Sequence, residues 1–261
     1  MMDFGMPTLI ELPAPAACAV LCRDLGLQFV ELNMNLPQYQ TDAMDAAALQ
    51  RIAAQNGIYY TIHLDENLDP CNFNPRVSAA WTQTALDAVE MGKKLQAPVL
   101  NMHLNRGVYF TLPEGKVFLY EQEKERYLTA LTVFRDAITK AVEDSGICIC
   151  VENTDGFDQA FLKEGLDRLL ESPVFALTLD VGHDASIGGL DLPLILARKE
   201  RLTHMHLHDC AGKKAHLPLG EGSVLVCERL SLAKEMGCRV VLETKTVEGL
   251  KKSVQWMKTT L

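Results

Sequence analysis

The sequence predicts a single (β/α)8 barrel spanning residues 1–261, on three observations. Eight short β-rich runs alternate with stretches of helical periodicity. The length suits one closed barrel of about 250 residues. No Gly-x-Gly-x-x-Gly follows the first run, where Pro13-Ala14-Pro15-Ala16 stands instead, which argues against an open dinucleotide-binding sheet. No linker, composition shift or low-complexity tract divides the chain.

The predicted strands begin with Thr8–Leu12, Phe29–Leu32 and Tyr59–His63. Between the last two, a helix opened by Thr41 or Asp42 places Leu49, Ile52 and Ala53 on one face and stops at Asn56-Gly57. Val99–His103 is the fourth strand and Ile147–Glu152 the fifth. Tyr127, Leu131, Phe134, Ile138 and Ala141 recur between them at spacings of three and four, and Gly146 ends that helix. Ala176–Asp180, Thr203–His206 and Val240–Glu243 complete the set. A helix over Ser223–Met236 precedes the last strand, and another follows it from Val247 through Leu250, Val254 and Met257.

Composition narrows the functional classes. Twenty-five Lys and Arg against 34 Asp and Glu give a formal charge of −9. That balance argues against a nucleic-acid partner, because phosphate contacts require clustered cations. No apolar run approaches the ~18–20 residues needed to cross a bilayer. Met1-Met2-Asp3-Phe4-Gly5 has no basic stretch ahead of an apolar core, so a cytoplasmic protein is expected. The eight cysteines show no Cys-x-x-Cys spacing and read as reduced, buried small hydrophobes without a catalytic role.

The polar residues that carry chemistry share one position, the C-terminal end of a predicted strand. His63, His103, Glu152, Asp180, His206 and Glu243 all stand there. In a barrel these ends converge on the face where the loops build an active site. Three histidines with three carboxylates suit a divalent transition metal such as Zn²⁺, Mn²⁺ or Co²⁺. Three carboxylates in one low-dielectric mouth also require cations to neutralise them. His183 follows Asp180 by three residues, within reach of the same pocket. Of His204, His206 and His208, one ligand is expected, with His204 deeper and His208 toward the rim. The turn His216-Leu217-Pro218-Leu219-Gly220-Glu221-Gly222 could hold a phosphate on backbone N–H groups or simply turn tightly.

These motifs together resemble the xylose isomerase-like TIM-barrel superfamily, which includes sugar-phosphate isomerases and epimerases and the endonuclease IV type of apurinic-site nuclease. The resemblance rests on Val151-Glu152-Asn153-Thr154, Leu179-Asp180-Val181-Gly182-His183, His206-Leu207-His208-Asp209, Leu217–Gly222 and Leu242-Glu243-Thr244, in that order. In the ketose-epimerase branch it implies one divalent metal held by Glu152, Asp180, His206 and Glu243. Glu152 and Glu243 double as acid and base, moving a proton through an enediolate, and His183 contacts a substrate oxygen. No organic cofactor is implied. Some epimerases carry an arginine six residues after the metal histidine, where this chain has Gly212.

In the endonuclease IV branch the resemblance implies three zinc ions, the first on His63, His103 and Glu152. The third requires His183 with an Asp-x-His pair, but Lys214-Ala215-His216 stands there, and a lysine ammonium cannot ligate. A sugar or sugar phosphate isomerase or epimerase is therefore the leading expectation, and a metal-dependent phosphodiester hydrolase the alternative. His63 and His103 are a candidate second metal site. Recognition is expected in the loops Leu64–Asn74 and Leu104–Lys116. Arg106, Lys213, Lys214, Lys245 and His216 are the nearest candidates for substrate contacts. The expected partner is a small-molecule sugar, and homo-oligomerisation is left open.

Overall fold

The computed structural model describes residues 2–154 and 156–260. Eight parallel strands close a barrel in chain order: Phe4–Pro7, Phe29–Asn33, Tyr59–His63, Val99–His103, Cys148–Glu152, Phe175–Asp180, Leu202–Leu207 and Arg239–Leu242. The last pairs back onto the first, Val240 opposite Phe4 and Val241 opposite Gly5. The predicted (β/α)8 class is what forms.

Seven of the eight strands lie where the sequence places them, with no end shifted by more than one residue. The first does not. Phe4–Pro7 is the strand, and Thr8–Leu12 is the loop that follows it. Leu9, Ile10 and Leu12 read as a β run because they are apolar, yet Ile10 is 76% exposed and Leu12 N–H closes a turn on Leu9 O. Gly5 sits inside the barrel, where the ring of Phe29 occupies the space a Cβ would need.

The helices wrap the outside, burying apolar stripes against the strands. Ala46–Asn56 starts later than Thr41 or Asp42 because Asp45 is its N-cap, its side chain accepting from Ala48 N–H. It ends at Gly57 in the left-handed region. Lys124–Val142 buries Tyr127, Leu131, Phe134 and Ile138 as the spacing predicts, but stops at Glu143, ahead of Gly146. After the sixth strand, two short helices, Val181–Ser186 and Leu192–Leu196, replace a single long one. Two antiparallel hairpins interrupt the alternation: Tyr109–Leu112 with Gly115–Phe118, and Asp209–Ala211 with Lys214–Leu217. Both rise from loops on the C-terminal side. Among the described residues, no helix is long and apolar enough to cross a membrane.

The interior of the barrel departs from the usual layers of Val, Ile and Leu. Glu31, Thr61, Asn101, Thr178, His204 and His206 all point into it and are at most 1% exposed. Burying such groups is costly unless each is paired, and they pair with one another.

Candidate metal centre

Each site residue is delivered by a strand end or by the turn after it. His206, in the seventh strand, occupies the centre. Its Nδ1 lies 3.3 Å from Glu152 Oε1, 3.3 Å from Glu243 Oε2 and 4.0 Å from Asp180 Oδ2. Glu152, Asp180 and Glu243 are themselves buried, at 2%, 0% and 8% exposure. On the other side of Glu152, His63 Nε2 and His103 Nε2 each lie 3.3 Å from Oε2. Glu152 thus offers one oxygen to His206 and the other to the His63–His103 pair.

The spacings around His206 fit a divalent cation; His63 groups with Glu152 and His206, whereas His103 joins no such group among the described residues. Two donors each ~2.0–2.1 Å from a tetrahedral zinc lie ~3.3 Å apart. The four donor atoms of Glu152, Asp180, His206 and Glu243 fall within 4.8 Å of one another. Buried as they are, His206 Nδ1 and Glu243 Oε2 have no hydrogen-bond partner among the described residues. His63 Nδ1 lies 2.7 Å from Leu64 O, a contact that places its proton there and turns the Nε2 lone pair toward Glu152.

A second layer sets the orientation of these donors. Glu31, in the second strand, receives hydrogen bonds from Thr61 Oγ1 and His204 Nε2, both at 3.0 Å, and its Oε1 lies 2.9 Å from His206 Nε2. Asn101 donates to Glu152 and accepts from Thr178 Oγ1 at 2.5 Å. Asn153 brackets Asp180, donating to its carbonyl and accepting from its N–H. His208 Nδ1 accepts from His216 N–H at 2.8 Å, so the proton sits on Nε2, which lies 3.0 Å from Asp180 Oδ1. His183, His208 and His216 also form a three-imidazole group, but both nitrogens of His208 are already engaged. Of His204, His206 and His208, only His206 faces the carboxylate cluster with a free nitrogen.

The electrostatics follow from burial opposed by pairing. Burial alone would raise the Glu152 carboxyl, but the charges of His206 and His103 outweigh it and hold it well below the usual carboxylate range. Glu243 behaves likewise, with His206 first and then Lys245 and His216 opposing burial. Burial pushes the His206 imidazole down, yet Glu152, Glu31 and Glu243 together carry it well above its ordinary value. His63 rises to about 9 against the same burial, through Glu152. His216 falls to about 4, because burial there outweighs Glu243.

The donors open into a cavity of about 350 Å³ whose wall also holds His183, His216, Glu66 and Lys245. Lys245 Nζ lies 2.8 Å from Glu243 Oε1. Arg106 is half-buried in the loop before the first hairpin and is not part of that wall. Lys213 and Lys214 are exposed on the second hairpin, likewise outside it. A larger concavity of about 840 Å³, among Asp3, Cys238 and Arg239, contains none of the cluster.

The glycine-rich turn has its Leu219, Gly220 and Glu221 N–H groups engaged within the protein, which argues against a phosphate site there. Asp209 accepts from Gly220 N–H at 2.9 Å and from Val224 N–H at 3.0 Å, and the helix begins only at Val226. Gly220 is required there because its φ is +86° and the Trp256 ring fills the Cβ position; Gly222 is packed against Asp209. Sequence reasoning overlooked Glu31, Asn101 and Glu66. Glu31 had a signal, a lone charge inside the apolar run Phe29-Val30-Glu31-Leu32. Glu66 had none, being one polar loop residue among many.

The family model of the xylose isomerase-like TIM barrel matches residues 19–260. The chain belongs to this family. A search of curated proteins finds no match. Among solved structures, it is similar to a D-tagatose 3-epimerase-like protein, with 22% identity and a TM-score of 0.80 over 99% of this chain and 96% of that one. It is also similar to the D-allulose 3-epimerase of Methylomonas sp., at 15% identity and a TM-score of 0.74, covering 100% and 98%. The 3-keto-D-glucoside 4-epimerase of E. coli aligns at 12% identity and a TM-score of 0.76, covering 99% and 100%. At these identities the likeness is one of fold.

Proposed function

We propose that this protein is a divalent-metal-dependent isomerase or epimerase of a small sugar. The observation that carries the reading is the pair of carboxylates, Glu152 Oε1 and Glu243 Oε2, each 3.3 Å from His206 Nδ1. Glu152, Asp180, His206 and Glu243 would hold a Zn²⁺, Mn²⁺ or Co²⁺ ion, and His63 and His103 would contribute a second site through Glu152. When bound, such an ion polarises a ketose carbonyl and acidifies the neighbouring C–H. One glutamate would remove the proton and the other would return it to the opposite face. His183 and His216 line the cavity where substrate hydroxyls would sit, and Lys245 holds Glu243. The sugar epimerases among its structural relatives support this reading.

The test is exchange of carbon-bound hydrogen for deuterium in a ketose, followed by NMR in D2O with metal-loaded protein. Glu152→Gln and Glu243→Gln should each slow it by about 10²–10⁴-fold. Unchanged exchange in both variants overturns the two-carboxylate mechanism. A metal-dependent phosphodiester hydrolase is the second reading, favoured by the bridging position of Glu152 between two donor groups. Against it stands Lys214, exposed on its hairpin where a third site would need a carboxylate. Strand cleavage at abasic sites that disappears with Glu152→Gln would reverse the order.

A further inference from the structure

We infer that the substrate is an uncharged sugar of two units, a ketose over the metal centre joined to a second polyhydroxylated unit held beside it. This deepens the reading above and rests on it. A second cavity of about 450 Å³ adjoins the first, and Glu66 and Lys245 stand in the walls of both. A hexose fills about 200 Å³ at the packing density of an organic solid. The first cavity, about 350 Å³, therefore takes one ring and its cation. The second has room for another ring.

Its lining is the chemistry that recognises hydroxyl groups. Asn33, Asn35 and Asn67 offer amides, and Thr8 and Thr244 hydroxyls. Asn35 Nδ2 has no partner among the described residues. The wall is fixed in place: Asn35 Oδ1 accepts from Glu66 N–H at 3.1 Å, and Asn105 Nδ2 donates to Glu66 O at 3.1 Å. A pre-formed surface loses little entropy on binding.

Charge excludes a phosphate from the same space. Among the described residues, Lys245 is the only lysine or arginine lining either cavity, and it is engaged with Glu243. Asp65 and Glu66 face the compartment and would repel an anion. In the glycine-rich turn, the other anion site the sequence suggests, the N–H groups of Leu219, Gly220 and Glu221 are taken by Ser253, Asp209 and Pro218.

Four probes sharing one reacting unit test this: D-fructose, fructose 6-phosphate, 6-O-glucosyl-fructose and 4-O-glucosyl-fructose. Hydrogen exchange in D2O is measured on metal-loaded protein, and binding is measured by calorimetry on Glu152→Gln. At least one glucosyl-fructose should exceed fructose in kcat/KM and in affinity by tenfold or more, with fructose 6-phosphate below fructose. Asn67→Trp, which fills the compartment, should reduce the glucosyl-fructose at least tenfold more than fructose. The inference is overturned if fructose 6-phosphate ranks first, if neither glucosyl-fructose surpasses fructose, or if Asn67→Trp affects both alike. Binding of a glucosyl-fructose without exchange of any probe would sink the proton-transfer reading and leave the two-unit site standing. Neither binding nor exchange would sink both.

Discussion

Substituting Glu31 tests whether the buried second layer tunes the metal centre. Glu31 is 1% exposed and receives Thr61, His204 and His206 on its two oxygens, at 3.0, 3.0 and 2.9 Å. Burial would raise its carboxyl, but the charge of His206 and the hydrogen bond with His204 outweigh it and keep Glu31 ionised. Glu31→Gln preserves volume while replacing one acceptor oxygen with an NH2 donor. At least one of the three donors then faces another donor, at a cost of about 1–3 kcal/mol. His206 also loses the anion behind Nε2 that orients its ring and strengthens Nδ1 as a ligand. Loss of such a partner weakens metal binding by about 10–100-fold, or about 1.4–2.8 kcal/mol.

Both quantities are accessible separately. Denaturant unfolding of metal-free protein reports the stability cost, and chelator competition reports metal Kd. Thr61→Val serves as the control, since it removes a donor from Glu31 without touching His206 and should leave Kd within about threefold. If Glu31→Gln lowers stability but leaves Kd within the same threefold, Glu31 is only a packing residue and the orienting role is wrong.

Three further outcomes follow. Since Glu152 lifts His63 to about 9 and a metal must displace that proton, metal affinity should rise by at least about a hundredfold from pH 6 to pH 8, measured by chelator competition. The same raised value means that His63 stabilises the metal-free fold fully below its ordinary pKa, and that this support is lost as pH climbs through 9. Asp191 is 0% exposed, its carboxylate has no hydrogen-bond partner among the described residues, and burial with the charge of Asp184 raises it to about 6. Its folded value is above the unfolded one, so stability falls as pH rises toward 6; Asp191→Asn should gain about 1–3 kcal/mol at pH 8 and little at pH 4, read from unfolding curves. A Cβ at Gly182 would occupy the His208 ring, so Gly182→Ala should push His208 off Asp180. That predicts about 1–3 kcal/mol of destabilisation and weaker metal binding; unchanged metal content and melting temperature would refute it.

The sequence displays the barrel because alternation of β runs and amphipathic helices is a local property, and strand ends are legible wherever a His or carboxylate closes an apolar run. That is how His63, His103, Glu152, Asp180, His206 and Glu243 are found. Failures occur where the deciding contact is non-local. Thr8–Leu12 has strand composition, but pairing of Phe4–Pro7 with both neighbours claims the barrel position. The glycine-rich turn looks like an anion site until Asp209, eleven residues before Gly220, takes the Gly220 N–H and Ser253 takes that of Leu219. Glu66 and Lys245 become neighbours only because the third and eighth strands bring their loops to one rim.

The triple His204, His206, His208 shows why the proposed centre would favour a cation over protons alone. Alternation along the seventh strand sends His204 and His206 into the barrel and His208 follows just past its end, so that the three imidazoles meet Glu31, the Glu152–Glu243 pair and Asp180 in turn. Each buried carboxylate costs several kcal/mol unless a positive group lies against it. Without metal, protons on His206 and His63 must supply that charge, and this is what drives both imidazoles above their ordinary values. A divalent ion held there would supply two positive charges and let His206 return to its neutral form, with Glu31 still behind its Nε2. The arrangement that raises the histidines is therefore also the one that gives a metal its advantage over the protons it replaces.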